Sequence, residues 1–239
     1  KSGSTLTETT KSDIVTRLTP YNVASVKPEI IDPATTSILL TSNVKYDSKV
    51  TTKSADTLKS NITTTITNYN STTLQQFDTI FRYSKLTGLI DDTDTSILSN
   101  ITTIKMRKEF TPTLNSSNAY NIYFRNALYN PDDDGNGNVR TYYLVSGVKT
   151  YINSTQGIIN YSTGAITLNS LNITSISNIR GAASTVIELT VTPASNDVIP
   201  VRDQIIEIDV ANSSVTVEAD TFAGGTADAG TTYTTTSSY

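Results

Sequence analysis

Hydrophobic positions between residues 37 and 69 follow two successive patterns. Residues 37–46 alternate between apolar and polar, which predicts a half-buried strand. After Asp47 the apolar residues recur every three or four positions, which predicts a helix over about residues 52–69. The other positions of this helix are mostly Thr, Asn and Ser, which are poor helix formers, so packing must stabilise it.

A second helix and a second strand are predicted after a polar break at residues 70–73. Apolar residues from Phe77 to Ile90 form a shorter helical stripe, and the acidic run at residues 91–94 ends it. The apolar segment from Ile97 to Met106 has an imperfect period, which indicates a bulge or a strand buried on both sides. We expect the two strands to be parallel neighbours, because helices between strands usually form a right-handed crossover.

The flanking segments predict further elements. Ser12 could cap a short helix that Pro20 ends, and residues 26–31 are predicted to form a strand. Beyond Phe110 the pattern becomes hairpin-like, with turns predicted at residues 162–164, where Gly164 takes the left-handed position, and at residues 212–214. Strands at residues 186–191 and 201–210 are assigned to this second, mostly antiparallel unit.

The sequence therefore predicts an α+β fold with three parts. Residues 1–110 form a strand-helix-helix-strand domain, residues 111–220 a β-rich domain, and residues 221–239 an extended tail. The tail is rich in Gly, Ala, Thr and Ser, so it has little to bury, and we expect a partner to order it.

Composition narrows the classes of function. The net charge is −4 with no basic cluster, so nucleic-acid binding is not expected. The chain has no Cys and no His, which removes disulfides, thiol nucleophiles, the Ser-His-Asp triad and most zinc sites. No apolar run approaches the roughly 20 residues that span a bilayer. Because the chain starts without Met, we expect a fragment or a processed protein.

An acidic glycine-rich loop at residues 132–139 is the sharpest chemical signal. Asp132, Asp134 and Asn136 match the Asp-x-Asp-x-Asn-Gly half of a calcium loop, whose hard oxygen ligands suit that ion. The twelfth position is Tyr143 instead of the usual bidentate Glu, and strands flank the loop in place of helices. A calcium site is the functional interpretation, and a solvated hairpin tip is the structural one.

Other charged and aromatic residues allow two readings each. Asp91, Asp92 and Asp94 could act as the acid and base of a glycosidase, but consecutive turn residues do not face a shared sugar, so we favour turns and caps. Tyr142, Tyr143 and Tyr151 could line an interface or pack across strands. The scattered cations could pair with another subunit or form a solvated face; these are Arg82, Lys85, Lys105, Arg107 and Lys108.

The order and spacing of polar and apolar residues over residues 22–107 resemble a known family. The matching residues are Val44, Tyr46, Asp47, Thr52, Lys53, Ser54, Ala55, Phe81, Arg82, Tyr83, Ser84, Lys85, Leu86, Ile90, Asp91, Asp92, Ser99 and Asn100. Together they are similar to the C-terminal part of the baseplate wedge ring proteins of contractile-tailed bacteriophages, in the baseplate J group.

This resemblance implies a structural subunit and no enzyme. Such a subunit would dimerise, contact other wedge proteins and hub-proximal tail proteins, and form a ring around the hub that rearranges when the sheath contracts. It would reside in the tail baseplate of the virion after assembly in the host cytoplasm, with no cofactor, nucleic acid or membrane. The alternative is a calcium-dependent carbohydrate-binding or adhesin module of a phage fibre or bacterial surface, and a third hypothesis is a glycosidase that uses Asp92.

Overall fold

A computed structural model describes residues 6–23, 26–131, 136–201 and 204–220. Helices span Glu8–Leu18 (α1), Ala55–Tyr69 (α2) and Tyr83–Asp91 (α3), with a 3-10 turn at Thr19–Tyr21 and a π turn at Asn70–Leu74. The strands are Ala34–Tyr46 (β1), Ile97–Phe110 (β2), Ser117–Tyr123 (β3), Asn136–Val145 (β4), Val148–Asn160 (β5), Ala165–Asn172 (β6), Ile187–Val191 (β7), Gln204–Ile208 (β8) and Ser214–Ala219 (β9). The predicted α+β class is confirmed.

The strand-helix-helix-strand unit has the predicted elements but not the predicted direction. β1 and β2 are antiparallel, with Ser37 opposite Arg107 and Lys45 opposite Ser99, so the expected parallel crossover is wrong. The two helices return the chain to the end of the sheet at which β1 finished. The hydrogen bond of 2.8 Å from the Asp47 amide to the Ser96 carbonyl shows that the two ends meet there. β2 therefore re-enters beside the end of β1 and runs back along it.

A bulge explains the imperfect period of β2. Lys45 pairs with Ser99 and Tyr46 with Ile97, which leaves Leu98 without a partner on β1. Beyond the bulge the strand alternates, since Ile104 and Met106 are buried while Ile101 faces solvent. The bulge alternative is therefore the observed one.

The last three strands complete the first sheet, where we had assigned them to the second unit. The order is β7-β2-β1-β8, and β9 also pairs with β1. β8 and β9 both run parallel to β1 on the same edge. The hairpin predicted at residues 212–214 is therefore wrong, because these residues belong to a loop in one interrupted edge strand. Ile38 pairs with Ile208 and Thr41 with Ser214. The edge strand therefore advances six residues between these two pairs while β1 advances three, and the extra residues form the loop.

The second sheet has the order β3-β6-β5-β4 and is antiparallel throughout. Its turn at residues 161–164 confirms the predicted hairpin, since Gly164 has a φ of +68° and a Cβ there would lie 2.3 Å from the Asn126 carbonyl oxygen. Ile122, Phe124 and Ile166 of this region share one buried cluster with Ile38 of β1. Whether residues 1–110 and 111–220 fold as separate domains stays a prediction.

The N-terminal predictions hold only in part. α1 begins at Glu8 because Thr7 caps it, its hydroxyl accepting from the Thr10 amide at 3.2 Å, so Ser12 lies inside the helix and is not its cap. Residues 26–31 form no strand.

In the described ranges, no helix has both the length and the hydrophobicity to cross a bilayer. The tail at residues 221–239 lies outside the described residues.

Asn70 joins the helices to the edge strand. It ends α2 at the predicted polar break and is buried. Its side-chain amide donates to the Ile208 carbonyl at 3.0 Å and its side-chain oxygen accepts from the Ile208 amide at 2.8 Å. The side chain thus replaces a neighbouring strand at the end of β8, where the edge strand begins to loop out.

We expect Asn70→Ala to lower the free energy of unfolding by about 1–3 kcal/mol, because the buried Ile208 amide loses its partner and the Ile208 carbonyl keeps only the Val210 amide. Chemical denaturation followed by circular dichroism measures this loss. Asn68→Ala, at an exposed position two residues earlier in α2, is the matched control and should change stability by less than about 1 kcal/mol. Equal losses in the two variants would contradict the assigned role of Asn70.

Candidate functional site

The point where the chain leaves and re-enters the first sheet is held by one carboxylate. Asp94 accepts from the Ser96 amide at 3.0 Å and from the Ser96 hydroxyl at 2.6 Å, which forms the turn into β2. Its other oxygen lies 2.5 Å from Lys53 Nζ, just before the Ser54 cap of α2. The Lys53 contact and the two Ser96 hydrogen bonds lower the pKa of Asp94 from its usual 3.8 to about 2.

A second polar network fixes α3 against β2. The Ser42 and Thr102 hydroxyls form a buried cross-strand hydrogen bond of 2.7 Å, and the Tyr83 hydroxyl donates to the Thr102 carbonyl at 2.6 Å. The Asn100 amide donates to the Thr87 carbonyl of α3 at 3.1 Å and to Asp91 at 2.6 Å. Asp91 and Asp94 therefore hold structural contacts in this turn, in agreement with the turn-and-cap interpretation that we favoured.

Arg107 is the centre of an ion cluster within the chain. Its guanidinium lies 2.6 Å from Glu188 of β7 and 2.9 Å from Asp209 in the loop between β8 and β9. A further contact of 2.9 Å reaches Glu109, and Arg180 pairs with Glu188 at 2.8 Å. Because the Arg107 side chain is only 12% exposed and pairs with three carboxylates of this chain, it is not part of a solvated face.

Arg82 and Lys85, two further cations considered in the sequence, have separate partners in the structure. Arg82 pairs with Asp197 at 2.8 Å, and Lys85 lies 5.8 Å from the centre of the Tyr69 ring. With the Tyr83 amide, Arg82 lowers the pKa of Asp197. The structure therefore uses these charges to hold α3 against neighbouring segments, and they do not converge as a binding site would require.

The three tyrosines of the second unit are brought together. Tyr142 and Tyr151 face each other across β4 and β5 with ring centres 6.1 Å apart, and Tyr143 lies on the opposite face. All three are about half exposed. Cross-strand packing is confirmed for Tyr142 and Tyr151, while a place of the three rings in an interface stays a prediction.

The proposed calcium ligands remain a prediction. Asp132 and Asp134 lie outside the described residues, and only the backbone of Asn136, the first residue of β4, is described. Within the described ranges, no three Asp or Glu side chains are placed to hold a metal ion together.

Comparison with known proteins finds relatives of the segment that carries β1, α2, α3 and β2. Residues 31–109, from the approach to β1 through nearly all of β2, match the family described as "Baseplate structural protein gp6, C-terminal domain III". The baseplate wedge protein gp6 of Enterobacteria phage T4 is 32% identical over 109 residues. The match covers 46% of this chain and 16% of that protein. The resemblance drawn from the sequence is therefore confirmed over this segment.

The matched segment does not contain the whole first sheet. It supplies β1 and β2, whereas β7, β8 and β9 come from residues 187–219, beyond its end. Local sequence patterns could not reveal that the later strands join this sheet, since contacts such as that of Asn70 with Ile208 join residues 138 positions apart. The same holds for Arg107, whose partner Glu188 is 81 residues away.

Asp94→Asn should lower the melting temperature at neutral pH and make it less sensitive to acid. Because the pKa of Asp94 is lower in the folded protein than in the unfolded chain, its contribution to stability is complete above about pH 4 and is lost as the pH falls towards about 2. Melting curves from pH 2 to pH 7 measure this, with Asp92→Asn as the control of equal charge change. Identical pH profiles for wild type and Asp94→Asn would contradict the assigned contact.

Arg107→Met should destabilise the protein by about 3 kcal/mol, because Asp209 would remain largely buried without its cation and Glu188 would keep only Arg180. Lys105→Met removes an equal charge from an exposed position of the same strand and should have little effect. Urea denaturation distinguishes the two. An Arg107→Met variant as stable as wild type would show that the cluster is solvated.

Proposed function

We propose that this chain is a structural subunit of the baseplate wedge of a phage contractile tail. The match of residues 31–109 to a baseplate structural family is the observation that carries the proposal. The first unit supports it, because the polar residues that carried the resemblance hold turns and helix contacts. Lys53 and Asn100, for example, bind Asp94 at the turn into β2 and the Thr87 carbonyl of α3.

We further propose that the subunit acts through non-covalent contacts. It would form a homodimer, contact other wedge proteins and hub-proximal tail proteins, and contribute to the ring around the hub in the virion. When the sheath contracts, the ring would change its arrangement while the first sheet moves as a unit. The Asn70 and Arg107 contacts support this last step, because both join distant segments into that sheet.

Sedimentation velocity over a range of protein concentrations tests the proposal. We expect reversible self-association in the micromolar range or above, and co-sedimentation with the other wedge proteins of the same phage. A chain that stays monomeric at several hundred micromolar and also fails to join those proteins would contradict the proposed function.

A further inference from the structure

A two-stranded arm extends from the second sheet without covering neighbours. β5 pairs with β6 only through residues 157–160, whereas β4 and β5 continue to pair with each other from Thr141 and Asn153 to the turn. We define the arm as residues 140–153. Among the described residues, no strand pairs with either outer edge of this arm.

The arm presents apolar side chains on both faces. Tyr143, Val148 and Ile152 are 52%, 67% and 71% exposed, and Leu144 and Val145 are also exposed. An isolated two-stranded hairpin is marginally stable in water, and exposed apolar surface of this kind marks an interaction site. Its turn is nevertheless well defined, since Ser146 and Gly147 have φ values of +49° and +83°, as a tight hairpin turn requires.

The two faces of the arm differ in chemistry. One face carries both cations, with Lys149 4.9 Å from the Tyr142 ring centre and Arg140 5.7 Å from that of Tyr151. The opposite face carries Tyr143, Val145 and Val148 and has no charge, and Ile152 lies in the bulge between Tyr151 and Asn153. The arm contains no Asp or Glu, so it contributes +2 to a chain of net charge −4, and the remainder carries −6.

A second surface of the same chain has matching chemistry. β7 pairs with β2 only through residues 106–110, so in the described part of the chain no strand covers the outer edge of β2 from Ile97 to Lys105. On the helix side of this edge, Asp91 and Asp92 at the end of α3 are exposed, and Asn100 holds Asp91 at 2.6 Å. On the opposite side, Ile101 is 69% exposed, and Leu98 in the bulge is 50% exposed.

We propose that the arm of one copy docks on the edge of a second copy formed by Asp91, Asp92, Leu98 and Ile101, which we call the acceptor edge. The cationic face of the arm would meet the two carboxylates, and its apolar face would cover Ile101 and Leu98. Arm-to-arm pairing would instead bring four positive charges together and is disfavoured.

Because the arm and the acceptor edge are different surfaces, two copies can exchange arms about a two-fold axis, as the proposed homodimer requires. Contacts passed on from copy to copy instead close into rings or continue as filaments. The inference rests on the proposed self-association and specifies which surfaces make it. Tyr83 already occupies the Thr102 carbonyl, so backbone pairing would be confined to the part of the edge nearer Ile97.

Charge reversal tests this contact. Arg140→Glu with Lys149→Glu reverses the arm, and Asp91→Lys with Asp92→Lys reverses the acceptor edge; melting temperatures establish that each variant is folded. Each reversal alone should weaken self-association by about tenfold or more, as measured by sedimentation velocity at low salt. An equimolar mixture of the two should restore a 1:1 pair, because Glu arms then meet Lys edges.

Arg17→Glu with Lys27→Glu is the matched control, since it gives the same net charge as the arm reversal at exposed positions elsewhere. If the wild type associates and the edge reversal changes nothing, the inference fails while the proposed function stands. If the wild type is monomeric at all concentrations, the proposed self-association fails and the inference fails with it.

Disulfide trapping gives a second readout, because the natural chain has no cysteine. A chain carrying both Val148→Cys and Leu98→Cys should form covalent oligomers on mild oxidation. Each single variant should run as a monomer on a denaturing gel without reducing agent. Covalent dimers of Val148→Cys alone would show arm-to-arm contact and overturn the inference.

Discussion

The position of β1 between two partners is the constraint on which the rest of the structure depends. Ile38, Leu40 and Val44 on its helix-facing side are at most 1% exposed, and its edges are occupied by β2 on one side and by β8 and β9 on the other. Because β8 and β9 are parallel to β1, they can reach it only after a long connection. The whole second sheet lies within that connection, so the two sheets are joined by topology as well as by packing.

Polar side chains make this arrangement specific. Asn70 holds the end of β8, and Ser213 in the following loop donates its hydroxyl to the Asp209 carbonyl and accepts from the Leu40 amide at 3.0 Å. Gln204 is fully buried and bonds both Thr36 and the Phe124 carbonyl, which joins the first sheet to the segment after β3. Each of these contacts compensates buried backbone or side-chain groups, and together they fix the register of the edge strand.

The sequence predicted the elements better than their arrangement. β1, α2, α3 and the Gly164 turn follow from local periodicity and turn chemistry, which depend on residues close together in the chain. The direction of β2 could not be predicted in this way, because it depends on whether α2 and α3 return the chain to its starting end. Similarly, Val215 and Val217 have the alternation of a hairpin strand, but their partner is β1, and only tertiary packing selects it. The sequence allowed Tyr142, Tyr143 and Tyr151 either an interface or cross-strand packing, and their position on an exposed two-stranded arm required the structure.

The contacts within the chain and its exposed surfaces together suggest how the protein works. The segment with the family match is stabilised by contacts within the chain, while in the described residues the edges of the arm and the acceptor edge are paired with no strand. Imaging an assembled baseplate of the kind in which we propose that the chain resides tests the account most directly. The account predicts the chain in the wedge ring, its first sheet intact and residues 140–153 of each copy lying against residues 91–101 of a neighbour. A baseplate that lacks the chain, or holds it with both surfaces facing solvent, would contradict the account.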